Sequence, residues 1–282
     1  MTTGLAKATA LQALHARRSA FIIANAWDAG SARLLAGAGF PALATTSAGC
    51  AFARGLPDGS AGRAAIFENA AAIAAATTLP VSADLEDGYG DAPETVAETI
   101  RQALALGLAG GSIEDATGRG GRRVYEIGHA ADRIRAAAEA LRAQPVPFQL
   151  VARAENFLHG RPDLADTIRR LQAYQDAGAD VLYAPGLGTA EQIRTVIGEI
   201  DRPLNVVMGV VPSGLTVADL AALGVARISI GSAATRLAYA ALLRAAVEMR
   251  ERGTFEFTAE ALPFRDIETA FAGAGIGRGV TP

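Results

Sequence analysis

The sequence predicts a single α/β domain, a (β/α)8 TIM barrel over residues 1–282, with 253–282 as a C-terminal extension. Short β-branched or apolar runs alternate with longer Ala/Leu/Arg-rich segments of helical period, the pattern of repeated βα units. There are eight such runs, the number that closes a barrel. At 282 residues the chain exceeds a typical domain, but barrels of about 250 residues form one unit.

The strands are expected near 21–25, 42–46, 80–84, 111–114, 149–152, 180–184, 203–208 and 226–230, each followed by a helix. Four phrases mark unit boundaries: Ala-Gly-Ala-Gly-Phe at 36–40, Leu-Gly-Leu-Ala-Gly at 106–110, Ala-Gly-Ala-Asp at 177–180 and Leu-Gly-Val-Ala at 223–226. Each places a helix-ending glycine just before a strand. The eighth helix is expected over about 232–252. The remainder, with Pro263 and a Gly-rich end, reads as a tail packing on the barrel or on a neighbouring subunit.

Composition narrows the function. Half the residues are hydrophobic and 20% are charged, enough for a sizeable core. The net charge is -3 and the arginines are scattered, so neither nucleic acid nor an anionic membrane is an expected partner. No apolar run approaches the roughly 18–20 residues of a membrane span; the Ala-rich stretch 70–77 is too short. The N-terminal segment lacks the order of a secretory signal, and Cys50 is the single cysteine, so a cytoplasmic, reducing location is expected. Lys7, the only lysine, precedes the first strand, which excludes Schiff-base and covalent pyridoxal chemistry at a barrel mouth. With only His15, His129 and His159, a His-rich zinc or iron site is not expected, and any metal must take oxygen ligands.

In a barrel of this type, polar residues just past the strand C-termini converge on one face. The third strand leads into Ser82-Ala83-Asp84-Leu85-Glu86-Asp87-Gly88-Tyr89-Gly90, with three carboxylates in four residues. The fourth ends in Ile113-Glu114-Asp115. A divalent cation is the simplest way to hold like charges at one rim, and carboxylate and water ligands favour Mg2+ or Mn2+ over zinc. The alternative is that these acids cap helices or form a solvated rim. Arg153, where the fifth strand emerges, can clamp a carboxylate or phosphonate; equally it can pair with Glu155 or Glu114, and both roles can coexist. The second strand ends in Ala44-Thr45-Thr46-Ser47-Ala48-Gly49-Cys50, where small residues let backbone N–H groups approach an anion and Ser47 can add its hydroxyl. Such turns are also common without a ligand. Cys50 reads as a filler, not a nucleophile.

With these residues in order, the chain resembles the isocitrate lyase and phosphoenolpyruvate mutase superfamily over essentially its whole length. Asn25-Ala26-Trp27-Asp28-Ala29-Gly30-Ser31-Ala32 is similar to that family's Gly-x-x-Asp-Ala-x-Ser-Ala stretch, and Thr46-Ser47-Ala48-Gly49 to its substrate-anion turn. Gly55-Leu56-Pro57-Asp58 matches a Gly-Leu-Pro-Asp loop; Asp84 to Gly90 resembles the metal loop Asp-x-Asp-Thr-Gly-Tyr-Gly, with Glu86 for the second aspartate. Ile113-Glu114-Asp115 and Val151-Ala152-Arg153 match Ile-Glu-Asp and Ile/Val-Ala-Arg. The resemblance implies that Asp58, Asp84, Glu86 and Glu114 surround Mg2+, with Asp84, Glu86 and Glu114 as ligands, and that the Ser47–Ala48–Gly49 turn and Arg153 hold the substrate carboxylate. It gives Asp58, Glu86, Glu114 and Arg153 catalytic roles and leaves Asn205 as a substrate contact in shifted register. It also implies a homodimer or homotetramer in which the eighth helix, with Leu237-Ala238-Tyr239-Ala240-Ala241-Leu242-Leu243, is exchanged between neighbours; a monomeric barrel would bury that segment too.

The departures bear on the reaction. The lyases carry Lys-Lys-Cys-Gly-His or a close variant after Ile-Glu-Asp, where this chain reads Ala116-Thr117-Gly118-Arg119-Gly120-Gly121-Arg122-Arg123. The mutases' Phe-Pro-Lys-x-Asn-Ser gating loop is missing as well, and Tyr183-Ala184-Pro185-Gly186-Leu187 has neither the lyase glutamate nor the mutase histidine. Segment 118–123 is either a lid over an anionic substrate or an ordinary loop. The expected function is a Mg2+-dependent lyase acting on a small 2-oxo or 2-hydroxy carboxylic acid through a stabilised enolate, by carbon–carbon cleavage or oxaloacetate-type decarboxylation. Phosphorus–carbon chemistry of the mutase or phosphonopyruvate hydrolase type is the runner-up. A non-catalytic binder of 2-oxo dicarboxylates is the alternative of another class, although Asp58, Asp84, Glu114 and Arg153 together favour turnover. Glu86, Asp87 or a metal-bound water, or Glu155 or His159 from the fifth loop, are the candidates to move the substrate proton.

Overall fold

The structure, a computed structural model, describes residues 2–17, 19–118 and 123–272. Eight parallel strands close a barrel: β1 (Phe21–Ala26), β2 (Ala42–Thr45), β3 (Val81–Asp84), β4 (Gly110–Glu114), β7 (Gln149–Arg153), β8 (Val181–Tyr183), β9 (Leu204–Val207) and β10 (Arg227–Ser229). Between β4 and β7, Ala116–Thr117 (β5) and Arg123–Val124 (β6) pair as a short antiparallel ribbon. The outer helices are α2 (Ala29–Gly37), α4 (Gly62–Ala75), α5 (Pro93–Ala105), α6 (Ile127–Arg142), α7 (Leu164–Asp176), α8 (Ala190–Gly198), α9 (Val217–Ala222) and α10 (Ala233–Arg252). The boundary glycines behave as their sequence context requires: Gly39, Gly107, Gly178 and Gly224 all adopt positive φ, which ends each helix without a Cβ clash.

The lower end of the barrel is sealed by α1 (Thr2–His15). Its Ala8, Leu11 and Leu14 pack with Phe21, Ile23, Ala42 and Ala44 of the strands. Lys7 Nζ donates to the carbonyls of Ala74 (3.1 Å) and Thr77 (2.8 Å), so the single lysine ties α1 to the end of α4. It lies where the strands begin, opposite the mouth.

The second unit carries an extra helix. Ser47–Ala53 (α3) follows β2 directly, so the small-residue turn expected at 46–50 is the first turn of a helix, with Thr46 as its N-cap accepting from Gly49 N–H. Of the expected lid 118–123, residues 119–122 lie outside the described residues.

Helix α10 begins at Ala233 as expected, yet buries few of its own side chains: Leu237, Leu242 and Leu243 stay 67%, 63% and 65% exposed. Beyond it, Glu248 folds the chain back by accepting from Thr254 Oγ1 and from the Glu256 and Phe257 amides. A short 3-10 turn (Glu256–Glu260) leads to α11 (Phe264–Phe271), which packs on α2, where Arg33 donates to the Phe271 carbonyl. The tail as far as 272 thus packs on its own barrel; 273–282 lies outside the described residues. Among the described residues no helix is long and apolar enough to cross a membrane.

Candidate active site

The strand C-termini open onto two adjoining cavities that share Ser47, Asp58, Arg153 and Leu158 as walls. One, of about 160 Å3, sinks into the barrel; the other, of about 570 Å3, lies under the loops and is faced by Glu86, Asp87, Glu114, Glu155 and His159. Pairing of Glu114 with Arg153 in register, and of Asp84 with Ser112 one strand over, brings these side chains to one rim.

Arg153 is the hub. Its Nη1 pairs with Asp84 Oδ1 (3.0 Å), Nη2 with Glu114 Oε2 (3.1 Å) and Nε with Glu155 Oε1 (2.8 Å). Its guanidinium also lies over the Tyr183 ring at 5.1 Å. Both partners foreseen for it, Glu114 and Glu155, are therefore engaged, with Asp84 as a third. Burial pushes Glu114 well above the usual carboxylate range, with Arg153 opposing, and raises Glu155 in the same way.

Asp84 is held from the other side by Ser47, whose amide and hydroxyl both donate to Oδ2 (3.0 and 2.8 Å). Ala48 lines the narrower cavity. Gly49 lies outside both linings: a Cβ there would fall 2.6 Å from Thr46 Cγ2 and 2.8 Å from both Thr235 Oγ1 and Trp27 Cβ. Its lack of a side chain lets α3 sit against β1 and α10. Asn205 also lies outside the linings, deep on β9, and donates to Ser229 Oγ (3.0 Å).

The loop after β3 is tightly wound. Glu86 and Tyr89 are the two non-glycine residues with positive φ (50° and 64°), among the described residues, a conformation that sterics disfavour and that surrounding contacts must enforce. Buried Arg133 does so, donating to the carbonyls of Asp87, Gly90 and Glu114 while lying over Tyr125. Glu86 is thereby aimed into the larger cavity with Oε1 buried and, among the described residues, unpartnered. Burial first, then the charges of Asp84, Asp87 and Asp58, raise it to about 7. Asp58 itself stands exposed at the junction of the cavities.

Asp115 points elsewhere. It accepts from Arg170 Nη1 (3.0 Å), Tyr174 OH (2.5 Å) and the Glu155 amide (2.8 Å), a fully satisfied network behind the barrel wall. Cys50 is buried in α3, with its sulfur against Arg54 Nη1 (3.0 Å), and faces neither cavity.

The acidic rim suits an oxygen-ligated divalent cation. Glu86 presents a buried oxygen without a partner, and its neighbours' charge disfavours its ionisation, a repulsion that a cation would relieve. Among the described residues no three acidic, His or Cys side chains gather into a protein cage. One or two carboxylates completed by water is the coordination Mg2+ prefers, unlike the all-protein sites of zinc or calcium.

Several wall residues were not foreseen as site residues. Asn25 staples the seam, donating to the Thr45 carbonyl (2.8 Å) and accepting from the Ile230 and Gly231 amides (2.9 and 3.0 Å). Tyr183, Arg227 and Ser229 line the inner cavity. Strand alternation would have found them, because 181 and 183, like 227 and 229, share a face.

Fold and rim together define a class: a barrel enzyme of the lyase/mutase kind that acts on small acids. The chain belongs to the phosphoenolpyruvate phosphomutase family, whose model matches residues 11–250. A solved structure from Burkholderia cenocepacia J2315, described as a lyase/mutase, is 56% identical, covers 98% of this chain and 100% of its own, and superposes with a TM-score of 0.95. An oxaloacetate decarboxylase of Chromohalobacter salexigens is 30% identical over 261 residues, 90% of this chain and 89% of the relative. The structure of a 2,3-dimethylmalate lyase is 28% identical, covers 96% of this chain and 94% of its own, and has a TM-score of 0.82.

Proposed function

We propose that this protein is a Mg2+-dependent lyase that breaks a carbon–carbon bond next to the carbonyl of a small 2-oxo or 2-hydroxy acid, by aldol-type cleavage or by decarboxylation of an oxaloacetate-like substrate. The observation that carries this reading is the meeting of Asp84, Glu114 and Glu155 on one guanidinium, with the unpartnered Glu86 beside them. A similar decarboxylase and a similar dimethylmalate lyase support the bond type. Lys7 is remote and Cys50 faces away, so neither the amine of the single lysine nor the single thiol is placed for a covalent route.

Asp84 and Glu86 would hold the cation, with Glu114 within reach of its water shell. Bound there, Mg2+ supplies Lewis-acid polarisation of the substrate's keto oxygen. Ser47 and Ala48 face the substrate carboxylate, and Gly49 serves by letting α3 approach closely enough for them to do so. Arg153 keeps the acidic rim together and, with Asp84 engaged by a bound cation, would offer its charge to the substrate carboxylate. Asn205 positions Ser229 beneath. Asp58, at the cavity junction, and Glu155 or His159, on the opposite wall, are placed to move a proton to or from the departing fragment. We assign the protein to the cytoplasm, where a lone buried thiol is stable, and to a homodimer or homotetramer exchanging α10, whose apolar residues are left exposed in the single chain.

The test follows 2-oxo acid release from oxaloacetate, 2-methylisocitrate-type hydroxy acids and phosphonopyruvate over the protein-free rate, with Mg2+ and with excess EDTA, alongside Glu114→Ala. Metal-dependent release that the variant loses is expected. Release from phosphonopyruvate alone would replace this reading with phosphorus–carbon chemistry, the second reading, which the family's namesake reaction supports. Binding of these acids without turnover would replace it with a non-catalytic binder.

A further inference from the structure

The interior of a (β/α)8 barrel is ordinarily filled by layers of branched aliphatic side chains. Here the inward positions facing the inner cavity include Ala44, Ser82, Ser112 and Ser229, small enough to leave about 160 Å3 open. Arg227 rises into this space from β10, in register with Asn205, which follows Tyr183 and Arg153 around the ladder. The ladder links the mouth arginine to a second one deeper in the barrel.

The two arginines differ in one respect. Arg153 meets three carboxylates, whereas Arg227, only 5% exposed, makes no ion pair or hydrogen bond among the described residues. Its Nε and Nη1 are buried without a partner, as is Asn205 Oδ1 on the paired residue. Burial pulls Arg227 down to about 10, with only Tyr183 opposing. On α1 below it, His15 is held neutral partly by the charge of Arg227, so His15 offers no compensation. A buried guanidinium left unpaired is strongly unfavourable, and its planar fork of donors matches a carboxylate.

We propose that Arg227 forms the floor of a carboxylate subsite inside the barrel. The same cavity reaches Asp84 and Arg153 at the mouth, so one molecule can span it. The ligand is a small dicarboxylic acid, its distal carboxylate on Arg227 and its reacting end at the rim. The subsite's assignment to a substrate rests on the small-acid reading above; binding of a carboxylate by Arg227 does not.

The experiment is calorimetric titration of the full chain with malonate, acetate and inorganic phosphate at constant ionic strength, with Mg2+ and with EDTA, for the wild type, Arg227→Met and Arg227→Lys. Malonate is expected to bind the wild type, to bind Arg227→Met about 10- to 100-fold more weakly, and to bind Arg227→Lys at an intermediate level, since a lysine keeps the charge but loses the fork. Acetate should be weak throughout. Malonate binding that is unchanged in Arg227→Met, absent from the wild type under both conditions, or surpassed by phosphate overturns the carboxylate subsite. Equal Arg227-dependent losses for malonate and acetate overturn the spanning dicarboxylate and leave a separate carboxylate in the pocket. Should Arg227→Met fail to fold, undiminished malonate affinity in Arg227→Lys overturns recognition by the fork. Turnover assayed on the same preparations separates the two readings: Arg227-dependent binding without turnover sinks only the catalytic reading, and Glu114-dependent turnover with Arg227-independent binding sinks only the subsite.

Discussion

At the scale of single residues, the mouth is organised by charge balance. Arg153 is shared by three carboxylates, so Arg153→Met leaves them facing one another in a half-buried site. Loss of one partner from a buried ion-paired cluster costs about 3–5 kcal/mol, and urea unfolding should register a drop of that size; less than about 1 kcal/mol would mean the rim is already solvated. His15 supplies a pH dependence. Burial, and then the charge of Arg227, hold it at about 3 against an ordinary value of 6.5, while its bond to the Leu11 carbonyl works the other way. The unfolded chain therefore takes up the proton first. The contribution of neutral His15 is complete above about pH 6.5 and is lost as pH falls toward 3. Between pH 7 and pH 5 the wild type should lose about 2 kcal/mol more than His15→Gln; parallel losses would show that His15 protonates freely in the folded protein.

Elements show which features of the local sequence matter through packing. In α3 the glycine at 49 is fixed by its neighbours Trp27, Thr46 and Thr235 and not by a turn. Gly49→Ala should destabilise by about 1–3 kcal/mol through overpacking and draw Ser47 away from Asp84, lowering turnover more than the stability loss explains. A variant as active and stable as wild type would show that α3 shifts freely. The proposed assembly through α10 predicts that Leu242→Glu with Leu243→Glu converts a dimer or tetramer to monomers in light scattering, with little effect on monomer folding because both residues are exposed in the single chain. Wild-type protein that is already monomeric would remove the exchange of α10. The helices' existence was legible in the sequence because apolar period and boundary glycines agree, but the extra helix α3 was not, since Ser47-Ala48-Gly49-Cys50 reads equally well as a turn.

At the scale of the whole molecule, eight apolar runs with helices between them leave few topologies other than a closed parallel barrel, and all eight strands fall within two residues of their expected positions. Closure also explains why the rim was legible: residues at the ends of parallel strands must meet on one face, so Asp84, Glu86, Glu114 and Arg153 converge from distant parts of the chain. Asp115 shows the limit of that argument. It follows Glu114 directly, but the alternation of side chains along an extended strand turns it to the opposite face and into the Arg170–Tyr174 network.

The amino-acid sequence by itself determined the barrel, the family and the acidic character of the mouth, because periodicity and strand-end motifs are local properties that survive without coordinates. Only the tertiary structure decided which carboxylates share Arg153, why position 49 lacks a side chain, and that Arg227 stands unpaired over a cavity inside the barrel. Those facts depend on strand register and on what lies across the barrel, distances that no run of neighbouring residues encodes.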